Sequence, residues 1–71
     1  MNKEYNRIFV NGQAFNCHTH MSLKELLTYL EFELKSIIVE YNYVIIHDSA
    51  FDTTFLQSGD KIEIITIVGG G

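Results

Sequence analysis

The sequence has no proline and no tryptophan, one cysteine, and only five basic residues against nine acidic ones, a formal charge of −4. Each shortage excludes something. A chain poor in basic residues offers no face for phosphate backbones and is repelled by anionic membrane surfaces, so neither nucleic acid nor membrane is expected as a partner. One thiol, Cys17, cannot form an internal disulfide, which suits a reducing compartment and leaves stability to packing. The longest aliphatic runs are three residues, such as Val44-Ile45-Ile46, far short of the roughly 20 that span a bilayer. The N-terminus, Met1 to Tyr5, shows neither the apolar stretch of a secretory leader nor the Arg- and Ser-rich pattern of a transit peptide.

What is present is globular. The chain has 71 residues, of which 46% are hydrophobic, 13% aromatic and 20% charged. That is too apolar for a disordered segment and too short for a second core or a large enclosed substrate cavity, which argues against a self-contained enzyme.

Arg7-Ile8-Phe9-Val10 and Gln13-Ala14-Phe15-Asn16-Cys17 flank Asn11-Gly12, the strongest short signal for a two-residue hairpin, because both turn positions need positive φ. In that register Ile8 and Val10 share a face with Phe15 and Cys17. That face is expected to be core, leaving Phe9 exposed on the other. Ser22-Leu23-Lys24-Glu25 is a capping box, with Met21 and Leu26 placed as a hydrophobic staple. The stripe Leu23, Leu26, Leu27, Leu30 then predicts a helix of about ten residues that covers a sheet. Residues 37–41 read as a strand, Asn42 as a turn, and 43–46 as a short return. Residues 47–57 read as an irregular crossing segment pinned by Phe51, Phe55 and Leu56. After a turn at Ser58-Gly59-Asp60, residues 61–68 form a last strand.

The chain then ends in Gly69-Gly70-Gly71. Three glycines at an end help no turn and add no packing. A frayed terminus is the plainer explanation. In the strand before them, Ile65 and Ile67 fall on the face that carries Lys61 and Glu63, while Ile62, Ile64, Thr66 and Val68 fall on the other. If the first face is outward, Ile65 and Ile67 sit beside Phe9 as an exposed apolar patch at the root of the tail, the appearance of a docking surface. The alternative is that the 47–57 segment folds over them.

Read in order, Ile8-Phe9-Val10-Asn11-Gly12-Gln13, the helix 23–30, Ile37-Ile38-Val39-Glu40-Tyr41-Asn42, Ser58-Gly59-Asp60-Lys61-Ile62-Glu63-Ile64 and Ile67-Val68-Gly69-Gly70-Gly71 resemble the ubiquitin-like sulfur carriers. The resemblance is to the ThiS family of thiamine biosynthesis more than to the molybdopterin carriers of the MoaD type. It covers nearly the whole chain. It departs only in five residues ahead of the first strand and in a third terminal glycine. It implies an α+β fold, a ubiquitin-like β-grasp with a mixed four- to five-stranded sheet on one helix over residues 1–68, and a flexible glycine tail over 69–71. It also implies a protein that is no enzyme. The Gly71 carboxylate would be adenylated by an E1-like, ThiF-like adenylyltransferase, converted to a thiocarboxylate with sulfur from a donor such as a cysteine desulfurase, and used by a ThiG-like thiazole synthase. Gly69 and Gly70 would lead the tail, and Phe9, Ile65, Ile67 and Val68 would meet partners. ATP and Mg²⁺ would belong to the activating enzyme, with no cofactor on the carrier. The implied location is cytoplasmic, or the plastid stroma if plastid-encoded.

Other candidates are weaker. Cys17, His18 and His20 are too few for a zinc site. Cys17 reads as a small buried hydrophobe. Asp48, Asp52 and Asp60 sit in turns, where Asp bonds local backbone, and no pair looks like a general acid and base. Three further readings stay open: a MoaD-like carrier, a ubiquitin-like modifier joined to lysines, and a non-covalent β-grasp interaction domain.

Overall fold

A computed structural model describes residues 4–68; the predicted Gly69-Gly70-Gly71 tail lies outside the described residues. Strands β1 (Tyr5–Val10) and β2 (Gln13–His18) are followed by helix α1 (Leu23–Tyr29), then β3 (Ile37–Tyr41), β4 (Val44–Ile46) and β5 (Lys61–Thr66). The five strands form one sheet in the order β2-β1-β5-β3-β4. Only β1 and β5 run parallel; the other neighbours are antiparallel.

The first hairpin forms as its sequence dictates, with Asn11 at φ 49° and Gly12 at φ 83°. Ile8 faces Phe15 and Val10 faces Gln13. Asn11 then does more than turn the chain. Its backbone N–H donates to Ile62 O at 2.9 Å. Its side-chain oxygen accepts from Ile64 N–H at 2.7 Å, and its side-chain nitrogen lies 3.3 Å from Ile64 O. The carboxamide thus imitates one more residue of β1 and carries the parallel ladder beyond the strand's end.

The helix begins on the predicted capping box. Ser22 Oγ accepts from Glu25 N–H at 3.1 Å, and Glu25 Oε1 accepts from Ser22 N–H at 2.8 Å. The remaining first-turn donors are taken by the crossing segment: Leu23 N–H by Thr54 O at 2.7 Å and Lys24 N–H by Phe51 O at 2.9 Å. No donor of that turn is left over, which is the condition for burying a helix end. The helix is shorter than expected, seven residues. Leu30 leaves helical geometry and Glu31 turns left-handed at φ 66°. Phe32 N–H then bonds to Leu27 O, and Glu31 N–H to Thr28 O, both at 3.0 Å. This is a Schellman termination with glutamate where glycine is usual.

Leu23, Leu26 and Leu27 pack on the inner face of the sheet with Ile8, Val39 and Ile62, all buried. Phe51 and Leu56 of the crossing segment complete that core, while Phe55, expected to help pin it, is half exposed. The second hairpin turns on two residues, Asn42 and Tyr43, both at positive φ, so the predicted return strand starts one residue late.

One polar cluster gathers around the buried Asp60 where the second hairpin meets the start of β5. Asp60 accepts from the Tyr41 hydroxyl, from Asn42 Nδ2 at 3.0 Å and from Gln57 N–H at 2.7 Å. Asn42 Oδ1 in turn accepts from Lys61 N–H at 2.8 Å. Burial, then the hydrogen bond to Asp60, pushes the Tyr41 phenol from its usual 10.0 up to about 12. The folded state therefore holds this proton more tightly than the unfolded chain, and the stability it brings, intact below about pH 10, is lost as pH rises toward 12. Two outcomes are expected in thermal unfolding followed by circular dichroism. Tyr41→Phe flattens the decline of the midpoint across that alkaline window. Glu31→Gly, which relieves a left-handed side chain, raises stability by roughly 0.5–1 kcal/mol at neutral pH.

Candidate functional site

The sheet has one covered face and one open face. Alternation along β5 buries Ile62 and Ile64 and turns Lys61, Glu63 and Ile65 outward. The crossing segment does not cover the outward set. It lies on the helix side, held there by Phe51, Leu56 and its bonds to the start of α1. Ile65 is 53% exposed and Ile67 47%, so the expectation of open isoleucines before the C-terminal residues holds.

Their neighbours differ from the expected ones. Phe9 is level with Lys61 in the parallel register, four residues before Ile65, or roughly 13 Å along the strand. It is half-buried and does not stand beside Ile65. The position beside Ile65 belongs to Ile38, its direct antiparallel partner, and Ile45 lies further out, opposite Glu40. Ile38 is 40% and Ile45 67% exposed. The open apolar patch is therefore Ile38, Ile45, Ile65 and Ile67, with Glu40 and Glu63 between it and the row of Phe9. Sequence reasoning missed Ile38 and Ile45. The signal was available for Ile38, which has the parity of Glu40 and the opposite parity to Val39.

The last strand is held at its far end by one more bond: Ile67 N–H donates to Ser36 O at 2.7 Å, at the end of the 3₁₀ turn Leu34–Ser36 that precedes β3. Val68 beyond it is 88% exposed. Gly69, Gly70 and Gly71 fall outside the described residues.

The other titratable side chains of the described residues are either buried singly or scattered over the surface. Cys17 is buried, and burial pushes its thiol above the ordinary range, away from the thiolate a nucleophile needs. His18, His20 and His47 are exposed. Among the described residues no three His, Cys, Asp or Glu side chains could share a metal ion. No helix among the described residues is long and apolar enough to cross a membrane.

A five-stranded mixed sheet, with the first and last strands parallel at its centre and one helix across a single face, is the ubiquitin-like β-grasp. The chain belongs to the ThiS family, whose model matches residues 5–71. The fold is similar to the crystal structure of a thiamine biosynthesis protein (ThiS) from Geobacter metallireducens, with a TM-score of 0.78 at 29% identity over 92% of this chain and 99% of that one. In sequence it is 45% identical over 64 residues to the ycf40 protein of Pyropia yezoensis, covering 90% of each chain. It is also 31% identical over 65 residues to a thiazole synthase of Paramagnetospirillum magneticum, covering 92% of this chain and 20% of that one.

The two faces should respond oppositely to charge. Ile65→Asp should leave the thermal unfolding midpoint nearly unchanged, whereas Ile64→Asp, which buries a carboxylate, should abolish cooperative unfolding. Cys17 should resist alkylation by iodoacetamide in the folded protein and react at once in denaturant.

Proposed function

We propose that this chain is a protein sulfur carrier for thiazole formation in thiamine biosynthesis, a co-substrate of other enzymes with no catalytic group of its own. The reading is supported by membership of the ThiS family together with one structural observation: the strand that leads to Gly71 ends on an exposed apolar face.

The chemistry starts from the Gly71 α-carboxylate, ionised at neutral pH and so a poor acyl donor. An E1-like partner holding ATP and Mg²⁺ makes it reactive. A carboxylate oxygen attacks the α-phosphorus, pyrophosphate leaves, and the terminal carbonyl becomes an acyl adenylate. The terminal sulfur of a persulfide on a donor such as a cysteine desulfurase then displaces AMP to give an acyl disulfide. A thiol attacks the donor's cysteine sulfur, forming a new disulfide with it and releasing the Gly71 carbon with one oxygen and one sulfur. Thiazole synthase takes the sulfur. Its similarity to this chain over one part of its length supports it as the partner. Both partners dock on the outward isoleucines, Ile65 and Ile67 foremost, with Val68 and Phe9 at the margin. The three glycines then extend up to roughly 10 Å and, lacking Cβ atoms, pass through a channel too narrow for side chains. The chain acts where those enzymes are, in the cytoplasm or the plastid stroma.

Intact-mass spectrometry after co-expression with the activating enzyme and a sulfur donor tests the reading. The expected product has one oxygen replaced by sulfur at Gly71. An isopeptide adduct on another protein would instead mark a modifier, and an unchanged mass an inert interaction domain. Gly71→Val and deletion of Gly71 should each abolish the sulfurated product while leaving the circular dichroism spectrum and the unfolding midpoint as in the wild type.

A further inference from the structure

The open face carries a charge arrangement that the folded chain leaves unanswered. Glu40 of β3 and Glu63 of β5 are direct partners in the antiparallel register, and both point outward. Opposed side chains start about 4.5–5.5 Å apart at Cβ, and like charges so placed destabilise a sheet. Among the described residues the ion pair formed is His47 with Asp48, and neither Glu40 nor Glu63 has a cationic partner. Lys61, two residues before Glu63 on the same face, turns to Tyr43 instead. Its Nζ is 3.4 Å from the phenol oxygen and 5.7 Å from the ring centroid. The glutamate pair borders apolar surface on one side, with Ile38 and Ile65 one step along the strands and Ile45 beside Glu40, and meets Asn42 and Lys61 on the other. Such a pair costs the isolated chain stability, and a cation brought from outside would offset that cost.

The chemistry of the cation follows from the frame. Among the described residues no third His, Cys, Asp or Glu joins the pair to hold a metal ion, and the six or more oxygen ligands of Ca²⁺ or Mg²⁺ are not supplied by isoleucines. A guanidinium presents several N–H donors in one plane, can span two carboxylates at once, and carries an aliphatic stem that suits an apolar border. We propose that Glu40 and Glu63 together receive an arginine of the docked thiazole synthase, its stem lying over Ile38 and Ile65. Thiazole synthase is the occupant because a segment similar to this chain recurs within thiazole synthase chains. The inference rests on the docking face assigned under the proposed function and adds a charge requirement to it. The glutamates select among apolar partners by accepting one that brings a positive charge and repelling one that brings a negative charge.

Titration of the full chain into purified thiazole synthase at two ionic strengths, with thermal unfolding of the chain alone, provides the test. The double variant Glu40→Gln/Glu63→Gln should bind about tenfold more weakly, with a flatter salt dependence, while its own unfolding midpoint rises because the repulsion is gone. Glu40→Lys/Glu63→Lys should bind more weakly still. Wild-type affinity in both double variants, with binding lost in Ile65→Asp, would overturn the arginine contact and leave the docking face standing. Wild-type affinity in Ile65→Asp would remove the docking face itself. A glutamine double variant that loses midpoint along with affinity would mark the pair as structural and also overturn the proposal.

Discussion

The parallel pairing of β5 with β1 is the constraint on which the molecule depends. The two hairpins, β1-β2 and β3-β4, share no direct strand pairing, and β5 alone joins them. Because β5 lies centrally it must be apolar on its inner face, and Ile62 and Ile64 are buried accordingly. The pairing between named strands is short, with Phe9 level with Lys61 and Val10 with Ile62. The Asn11 carboxamide lengthens it by taking both backbone groups of Ile64. A residue first read for its turn geometry therefore also fixes where the final strand sits.

Division of labour between the faces follows. One helix and one crossing segment suffice for the inner face, and the crossing segment is drawn to that side by the unsatisfied N–H groups at the start of α1 as much as by Phe51 and Leu56. Among the described residues no further element covers the outer face. Its isoleucines stay open, and the strand that displays them runs on toward the C-terminal glycines. In the proposed function, the open face and the reactive Gly71 belong to one run of chain, so recognition would be coupled to presentation through β5.

Local signals made much of this legible. Asn11-Gly12 and the capping box act over a few residues and formed as read, while the leucine stripe lost Leu30 to the helix end and the alternation of β5 holds only as far as Ile65, the strand ending at an exposed Thr66. The helix end was not legible because Glu31 occupies a position that sequence rules reserve for glycine. The exposure of Phe55 was hidden because an irregular segment has no periodicity to assign its faces. Ile38 was obscured by Ile37 and Val39, an apolar run in which parity shows only through Glu40. The distance from Phe9 to Ile65 depends on the parallel register, a pairing between residues more than 50 positions apart that no local pattern reports. The glutamate pair is legible only after that same tertiary arrangement is known.

The manner in which β5 is held also sets how the molecule bears a pull. A partner that draws the C-terminal residues into a channel loads β5 along its own axis. The ladders to β1 and β3 run across that axis, so their hydrogen bonds are loaded in shear and resist together instead of peeling in sequence. Among the described residues the bond from Ile67 to Ser36 lies beyond the last residue of the strand, so such a pull reaches it before the ladders.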